Sequence, residues 1–262
     1  MDEKEVKKYL SNAKRFRKNG EFAESLVLLH QVNTEYPKNV TYRYLLAATY
    51  FESMNTESAK KHVLEAILLE PDFKENYELL GDIYQKEGAW EFAQVNYEKA
   101  YDLDSEYITV GEKLVQLYIR IKNYEGVVKV CDQMMSHIPL DTSNVKSRIL
   151  TSIYLGCLLY KSWALVYLKR YEDAIRQFEE IKTKDKETGV PRYPGMHKEE
   201  DESLFKLFYK LKNTEKAEEY RRLLASEYKY GEEAISKLLT EADQDIILFR
   251  QRPEVMVQLG LD

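Results

Sequence analysis

The sequence predicts an all-α protein, a right-handed superhelical solenoid of stacked helical hairpins closed by a C-terminal capping helix, and three observations carry that prediction. Prolines recur at Pro37, Pro71 and, two periods on, Pro139; 71 minus 37 is 34 and 139 minus 71 is 68, so the repeat is 34 residues long. Aromatic residues keep the same beat at Phe16, Tyr50, Tyr84 and Tyr118, and a small residue stands three positions before each of the first three, at Ala13, Ala47 and Gly81. Val115 takes that place in the fourth unit. Composition agrees: 44% hydrophobic residues in a chain of 262 suffice for a core, while 10 Gly and 6 Pro are too few turn formers for a sheet-rich fold.

Each 34-residue unit divides into two helices at a cluster of helix breakers: Asn19-Gly20, Ser53 to Thr56, Glu87-Gly88 and Lys122-Asn123. In the third unit Tyr77, Leu80, Gly81 and Tyr84 fall on one face of the first helix, and Ala93, Tyr97 and Ala100 on one face of the second. Two antiparallel helices approach closely only where small side chains meet, so Ala13, Ala47 and Gly81 are expected to face Ser25, Ala59 and Ala93. The aromatic and leucine positions then fill the space towards the next hairpin, and the proline ends the second helix because it lacks a donor and clashes with the preceding turn. A lone hairpin leaves an apolar face in water, so stacking supplies the stability.

The third unit, Tyr77-x2-Leu80-Gly81-x2-Tyr84 followed by Ala93-x3-Tyr97, resembles the tetratricopeptide repeat, with Tyr in the places of Trp and Phe. The first unit, 6–39, keeps Tyr9, Ala13, Phe16, Leu29 and Pro37; the second, 40–73, keeps Leu46, Ala47, Tyr50, Ala59, Ala66 and Pro71. The third unit spans 74–107, and the looser fourth, 108–141, has Leu114, Val115, Tyr118, Val127, Cys131, Met134 and Pro139 at the equivalent places. Beyond 141 the register slips. A divergent fifth hairpin is expected over about 144–184, signalled by Tyr171, Ala174, Phe178 and Ile181, and a sixth over about 200–229, signalled by Leu204, Phe208, Asn213-Thr214, Ala217 and Leu224. Between their cores, Thr183 to Glu200 with Gly189, Pro191, Pro194 and Gly195 reads as a long loop. The amphipathic stretch 231–250 reads as the capping helix, limited by Pro253, which makes 1–262 a single solenoid.

The segment Ile149 to Leu168 carries one charge, Lys161, and has the length of a membrane span. Its place between hairpins and its Thr151, Ser152 and Ser162 favour a buried solenoid helix. An unbroken helix from Asn144 to Arg170 would be roughly 40 Å long at 1.5 Å per residue, more than a repeat helix needs. Its amino-terminal half, around Ile149, Ile153 and Tyr154, is expected to pack under the 183–200 loop or to contact another subunit.

The resemblance implies that the first helices of successive hairpins line a concave groove that binds extended peptides or helices. Carried onto this chain, the groove positions are Lys7, Lys14 and Arg17 in the first unit, Tyr44, Ala48 and Phe51 in the second, Glu75, Glu78 and Asp82 in the third, and Glu112, Gln116 and Ile119 in the fourth. The lining runs basic, aromatic, acidic. Residues 6–39 carry 7 basic and 3 acidic side chains, a charge of +4, whereas 74–107 carry 3 and 9, a charge of −6. Such a gradient orients a dipolar peptide, although solvated faces of amphipathic helices carry similar blocks. The carboxylate clamp by which one variant of the family holds chaperone C-termini is absent: its positions are Leu10, Lys14, Leu45, Glu75 and Leu79, or, one unit on, Tyr44, Ala48, Leu79, Thr109 and Lys113.

Other function classes find little in the sequence. A net charge of −6 speaks against nucleic acid. The opening MDEKEVKKYL has no apolar signal region, and two cysteines give no disulfide framework, so a reducing cytoplasm is expected. His30, His62, His137 and His197 are scattered, Cys131 and Cys157 sit at apolar positions, and no phosphate loop or nucleophile elbow occurs. No catalytic residue, metal or cofactor is expected. The reading is a non-enzymatic protein- or peptide-binding scaffold with Tyr44 and Phe51 as apolar anchors; homo- or hetero-oligomers remain open, and a membrane is disfavoured. Two alternatives stand beside it, a subunit of a larger, membrane-associated assembly that makes its contacts through helix 144–170, and a peptide-sensing regulator.

Overall fold

The computed structural model describes residues 1–190, 196–244 and 247 and shows thirteen helices among them. The chain divides into two compact units at 117/118. Unit 1 holds three hairpins, α1 (Glu3–Lys18) with α2 (Phe22–Glu35), α3 (Val40–Glu52) with α4 (Thr56–Leu69), and α5 (Lys74–Lys86) with α6 (Trp90–Leu103), followed by α7 (Ile108–Arg120) as far as Leu117. The predicted 34-residue units are these hairpins.

Local chemistry sets the helix boundaries. Asp2, Asn39 and Asn55 cap helix starts, their Oδ1 atoms accepting from the amides of Glu5 (2.7 Å), Tyr42 (3.0 Å) and Ser58 (3.0 Å). Between the helices of each hairpin one residue takes the left-handed conformation, at Gly20, Met54 and Gly88, and the same step reaches Lys122. The repeat therefore extends to a single backbone torsion. Met54 and Lys122 adopt it against a cost of about 1–2 kcal/mol that glycine avoids.

The small positions of the first two hairpins meet as expected, whereas at Gly81 the nearest neighbour is Tyr97 and not the expected Ala93. Ser25 Oγ donates to the Ala13 carbonyl at 2.9 Å, and Ala47 and Ala59 are both fully buried in one cluster with Val63, Leu79 and Ile83. At Gly81 the approach is tightest: a Cβ there would lie 2.5 Å from both Cδ1 and Cε1 of Tyr97, so the Tyr97 ring lies where a side chain would stand.

Unit 2 contains α8 (Tyr124–His137), α9 (Val145–Tyr167), α10 (Tyr171–Thr188), α11 (Met196–Lys210), α12 (Thr214–Tyr228) and α13 (Glu232–Asp243). Leu158, Phe178, Leu204, Leu224 and Leu238, from α9 to α13, share one core. Helix α9 is 23 residues, about 35 Å, and passes from exposed to buried along its length: Val145 is 75% and Ile149 39% exposed, whereas Leu155, Leu158 and Leu159 are buried. Tyr154 reaches α10 through its hydroxyl, 3.4 Å from Glu180 Oε1. Cys131 and Cys157 are free and buried.

Two boundaries correct the sequence reading. The expected loop from Thr183 to Glu200 is helical at both ends, because the Lys and Glu run of 183–188 prolongs α10, aided by a Lys184–Glu187 pair at 2.8 Å, until Gly189 closes the helix in the left-handed conformation. The loop's Pro191, Pro194 and Gly195 lie outside the described residues. The capping helix, expected to about 250, ends at Asp243, where a carboxylate meets the negative end of the helix dipole; most of 245–250 and Pro253 lie outside the described residues. Its capping role holds, with Ile235, Leu238 and Ala242 in the core.

Unit 2 also buries charge. Lys206 on α11 is fully buried, its Nζ 2.6 Å from Glu241 Oε2 on α13, and Asp201 accepts from Lys182 Nζ (2.6 Å) and the Tyr228 hydroxyl (2.9 Å). These pairs tie the cap and the flanking helices to α11.

Two outcomes follow for stability. Gly81→Ala should lower unfolding free energy by about 1–3 kcal/mol in urea titrations, through overpacking against Tyr97, whereas Gly156→Ala on α9, whose Cβ meets nothing within 4 Å, should raise it by about 0.5–1 kcal/mol. Glu241→Ala should cost about 3–5 kcal/mol by stranding the Lys206 ammonium, and the apolar pair Lys206→Met with Glu241→Leu should regain most of that loss.

Candidate protein-binding face

The odd-numbered helices of unit 1 form one continuous face, stitched in chain order. Arg17 Nε of α1 lies 3.1 Å from Glu52 Oε2 of α3; Lys86 Nζ of α5 lies over the Phe51 ring of α3, 5.2 Å from its centroid; Lys113 of α7 bonds to Glu78 and Asp82 of α5. All ten residues expected to bind a ligand lie on helices of this unit.

At the basic end Lys7 pairs with Glu3 at 2.6 Å, both side chains exposed, and Lys14 is exposed with no hydrogen bond or ion pair among the described residues. In the middle Tyr44 is half-buried and packs edge-on against Phe73, ring centroids 5.7 Å apart, while Ala48 is buried beneath. Phe51 is half-buried under Lys86. Gln116 is exposed, Glu75 and Glu112 are half-buried, and Ile119 belongs to the second unit.

The acidic end is the part that sequence reasoning placed without its partners. Lys113 Nζ donates to Glu78 Oε1 at 2.8 Å and to both Asp82 carboxylate oxygens at 2.7 Å. The Tyr97 hydroxyl donates to Asp82 Oδ1 at 2.6 Å and the Tyr107 hydroxyl donates to Glu78. Five side chains from α5, α6, α7 and the α6–α7 turn thus form one network around two carboxylates, one of them a tyrosine that also closes the Gly81 crossing. The signal was present in the repeat: Lys113 stands 35 residues from Glu78 and 31 from Asp82, on either side of one period, where a neighbouring helix comes alongside.

Burial and these charges set the protonation states. Burial pulls the Lys113 ammonium down, but Asp82 and Glu78 outweigh it and hold it above the ordinary lysine value. Burial pushes the Tyr97 and Tyr107 hydroxyls far up, with Asp82 and then Glu78 adding to it at Tyr97, and Glu78 and then Glu75 at Tyr107. Tyr44 is pushed up to about 12, by burial first and then by Glu78 and Glu75. Burial alone raises Glu112. Among the described residues no group of three His, Cys, Asp or Glu is placed to hold a metal ion.

Comparison with known proteins decides the family. The family model described as the tetratricopeptide repeat protein 21 C-terminal ARM domain matches residues 7–153, more than half of the chain. The chain belongs to this tetratricopeptide-repeat family. Among solved structures this tetratricopeptide-repeat protein is similar to the MamA protein, at 16% identity over 72% of this chain and 98% of that one with a TM-score of 0.56. It is also similar to pilF of Pseudomonas aeruginosa, at 14% identity over 89% of this chain and 96% of that one with a TM-score of 0.52. Both likenesses show the fold, an all-α solenoid of helical repeats. No curated protein sequence matches the chain.

The raised tyrosines fix the sign of an alkaline transition. Above the ordinary tyrosine value of 10.0 the unfolded chain releases protons that Tyr44, Tyr97 and Tyr107 keep in the folded state, so stability present below pH 10 declines as pH rises through the folded-state values. Spectrophotometric titration should show Tyr97 and Tyr107 ionising only as the helices melt, and Tyr97→Phe with Tyr107→Phe should remove two hydroxyls from that late phase. Ionisation of these two along with the exposed tyrosines in a still-helical protein would contradict the network.

Proposed function

We propose that this protein is a non-enzymatic scaffold that binds a protein or peptide on the face of α1, α3, α5 and α7, in a reducing cytoplasm. Membership of a tetratricopeptide-repeat family supports a protein-interaction role, and the single observation that carries the choice of face is the pair of half-buried rings, Tyr44 and Phe51, between an unpaired cation, Lys14, and a compensated acidic network. Aromatic side chains partly covered by their own protein offer a large apolar contact at small entropic cost, the usual make-up of an interface anchor. Lys14 and Glu75 flank the rings and supply charge for orientation.

A second reading draws on α9. Among the described residues it is the one helix long and apolar enough to cross a membrane by length and composition, with half of that stretch buried in protein. Its exposed beginning, Val145 and Ile149, fits a contact with another subunit of a larger assembly rather than with the ligand face.

Affinity purification from native cells distinguishes the two. Tyr44→Ala with Phe51→Ala, checked for helicity, should weaken capture of a specific partner by about thirtyfold, the effect of losing about 2 kcal/mol of anchor contact. Val145→Ser with Ile149→Ser should leave that capture unchanged; the reverse pattern would move the function to α9.

A further inference from the structure

Glu78 and Asp82 would ordinarily be where a basic ligand docks on this face. Their carboxylates are met by an ammonium that already has the geometry of a bound ligand's. Lys113 Nζ makes three charge-assisted contacts of 2.7–2.8 Å with the two side chains, arriving from the adjacent helix. The cluster is partly buried but still touches solvent, with Glu78 12%, Asp82 23% and Lys113 26% exposed, so a side chain from outside can reach its edge. Tyr97 and Tyr107 donate one further hydrogen bond each, to Asp82 and Glu78 respectively.

We propose that Lys113 is a specificity-determining residue: a resident cation that fills the Glu78–Asp82 pocket and shuts the Lys and Arg side chains of ligands out of the α5–α7 part of the face. The inference rests on the reading of this face as the binding surface. A ligand's cation has to displace an ammonium tethered by the chain itself, at an effective concentration that a free side chain does not match. It would also strand Lys113 among the groups it leaves. The charge that sequence counting assigns to Glu78 and Asp82 is therefore already compensated, and a basic ligand gains little from these two carboxylates. A ligand with a neutral or acidic group opposite Lys113 meets no such competitor, and an acidic group finds Lys14 unpaired. Discrimination here works by exclusion.

Removing the resident cation should open the pocket. The test uses the full chain and a fluorescein-labelled tetralysine peptide, with tetraglutamate as its counterpart, read by fluorescence anisotropy at physiological salt so that remote charges are screened. Lys113→Met keeps the apolar stem and deletes the ammonium. The variant, once shown to be helical, should bind tetralysine about tenfold more tightly than the wild type, the gain of one hydrogen-bonded ion pair, and tetraglutamate no more tightly. The triple variant with Glu78→Gln and Asp82→Asn should lose that gain. No gain in Lys113→Met, or a gain that persists in the triple variant, overturns the proposal. Should Lys113→Met fail to fold, Lys113→Met with Asp82→Asn removes one charge of each sign and keeps the Glu78 carboxylate, and the same two readings apply to it. The outcome separates from that of the ring variants. Failure here together with loss of the partner in Tyr44→Ala with Phe51→Ala overturns the exclusion and leaves the face; a gain here with the partner retained upholds the exclusion and places the natural partner elsewhere.

Discussion

Everything in unit 1 depends on how closely the two helices of a hairpin can approach. Where a side chain is missing, at Gly81, a whole tyrosine ring is accommodated, and where it is only a methyl or a hydroxymethyl, as at Ala47 with Ala59 and Ala13 with Ser25, the helices seal without polar cost. Interiors packed to crystal density do not tolerate an extra carbon at such a point. The crossing fixes the rotation of each helix about its own axis, and that rotation decides which residues face the next hairpin and which face solvent. Tyr97 shows the linkage: its ring seats on Gly81 while its hydroxyl serves Asp82 on the outer face. Packing and surface electrostatics therefore share one residue, and a change at the crossing is a change at the candidate site.

The fold was legible because its signals are local and repeated. Prolines, small residues and aromatics every 34 positions mark helix ends, crossings and interfaces, and a left-handed turn residue recurs on the same step at Gly20, Met54, Gly88 and Lys122. Where the repeat decays, boundaries became illegible for a physical reason. Glycine and proline near 189–195 signal a loop, but the Lys and Glu residues before them have good helix propensity and extend α10 by a further turn and a half. At the C-terminus an amphipathic pattern continues past Asp243, and the helix stops with a carboxylate in its last turn. Periodicity says where a helix can bury a face; the unpaired carbonyls at its end decide where it stops.

The candidate face was legible as a set of positions and illegible as a set of free charges. Identifying Glu78 and Asp82 as outward-facing required only the helical period. Finding their partners required knowing which residue of the next repeat stands opposite, an offset near 34 that a residue-by-residue reading of the same helix does not consult. Lys113, at one repeat plus one from Glu78, and Tyr107, 29 residues on, both sit there. The same holds elsewhere in unit 1, where Lys74 pairs with Asp104 and Lys60 bonds to Glu87 at 2.6 Å across a similar separation.

Net charge per repeat is therefore a poor guide to what a stacked helical protein attracts. The third repeat counts −6, yet four of its carboxylates, those of Glu78, Asp82, Glu87 and Asp104, are engaged by lysines within unit 1, and Glu78 and Asp82 also sit under tyrosine hydroxyls. A partly buried carboxylate that already holds an ammonium offers an incoming cation little beyond exchange, because both states contain the same contacts and the exchange strands a lysine. Long-range steering still feels the sum of charges, but selectivity at contact feels only those left unpaired. On this face those are Lys14, with neither hydrogen bond nor ion pair among the described residues, the half-buried Glu75 near the Tyr44 ring, and the half-buried Glu112 on α7. The rings, rather than the charge blocks, are then what a partner binds, and the charges that remain decide which way round it lies.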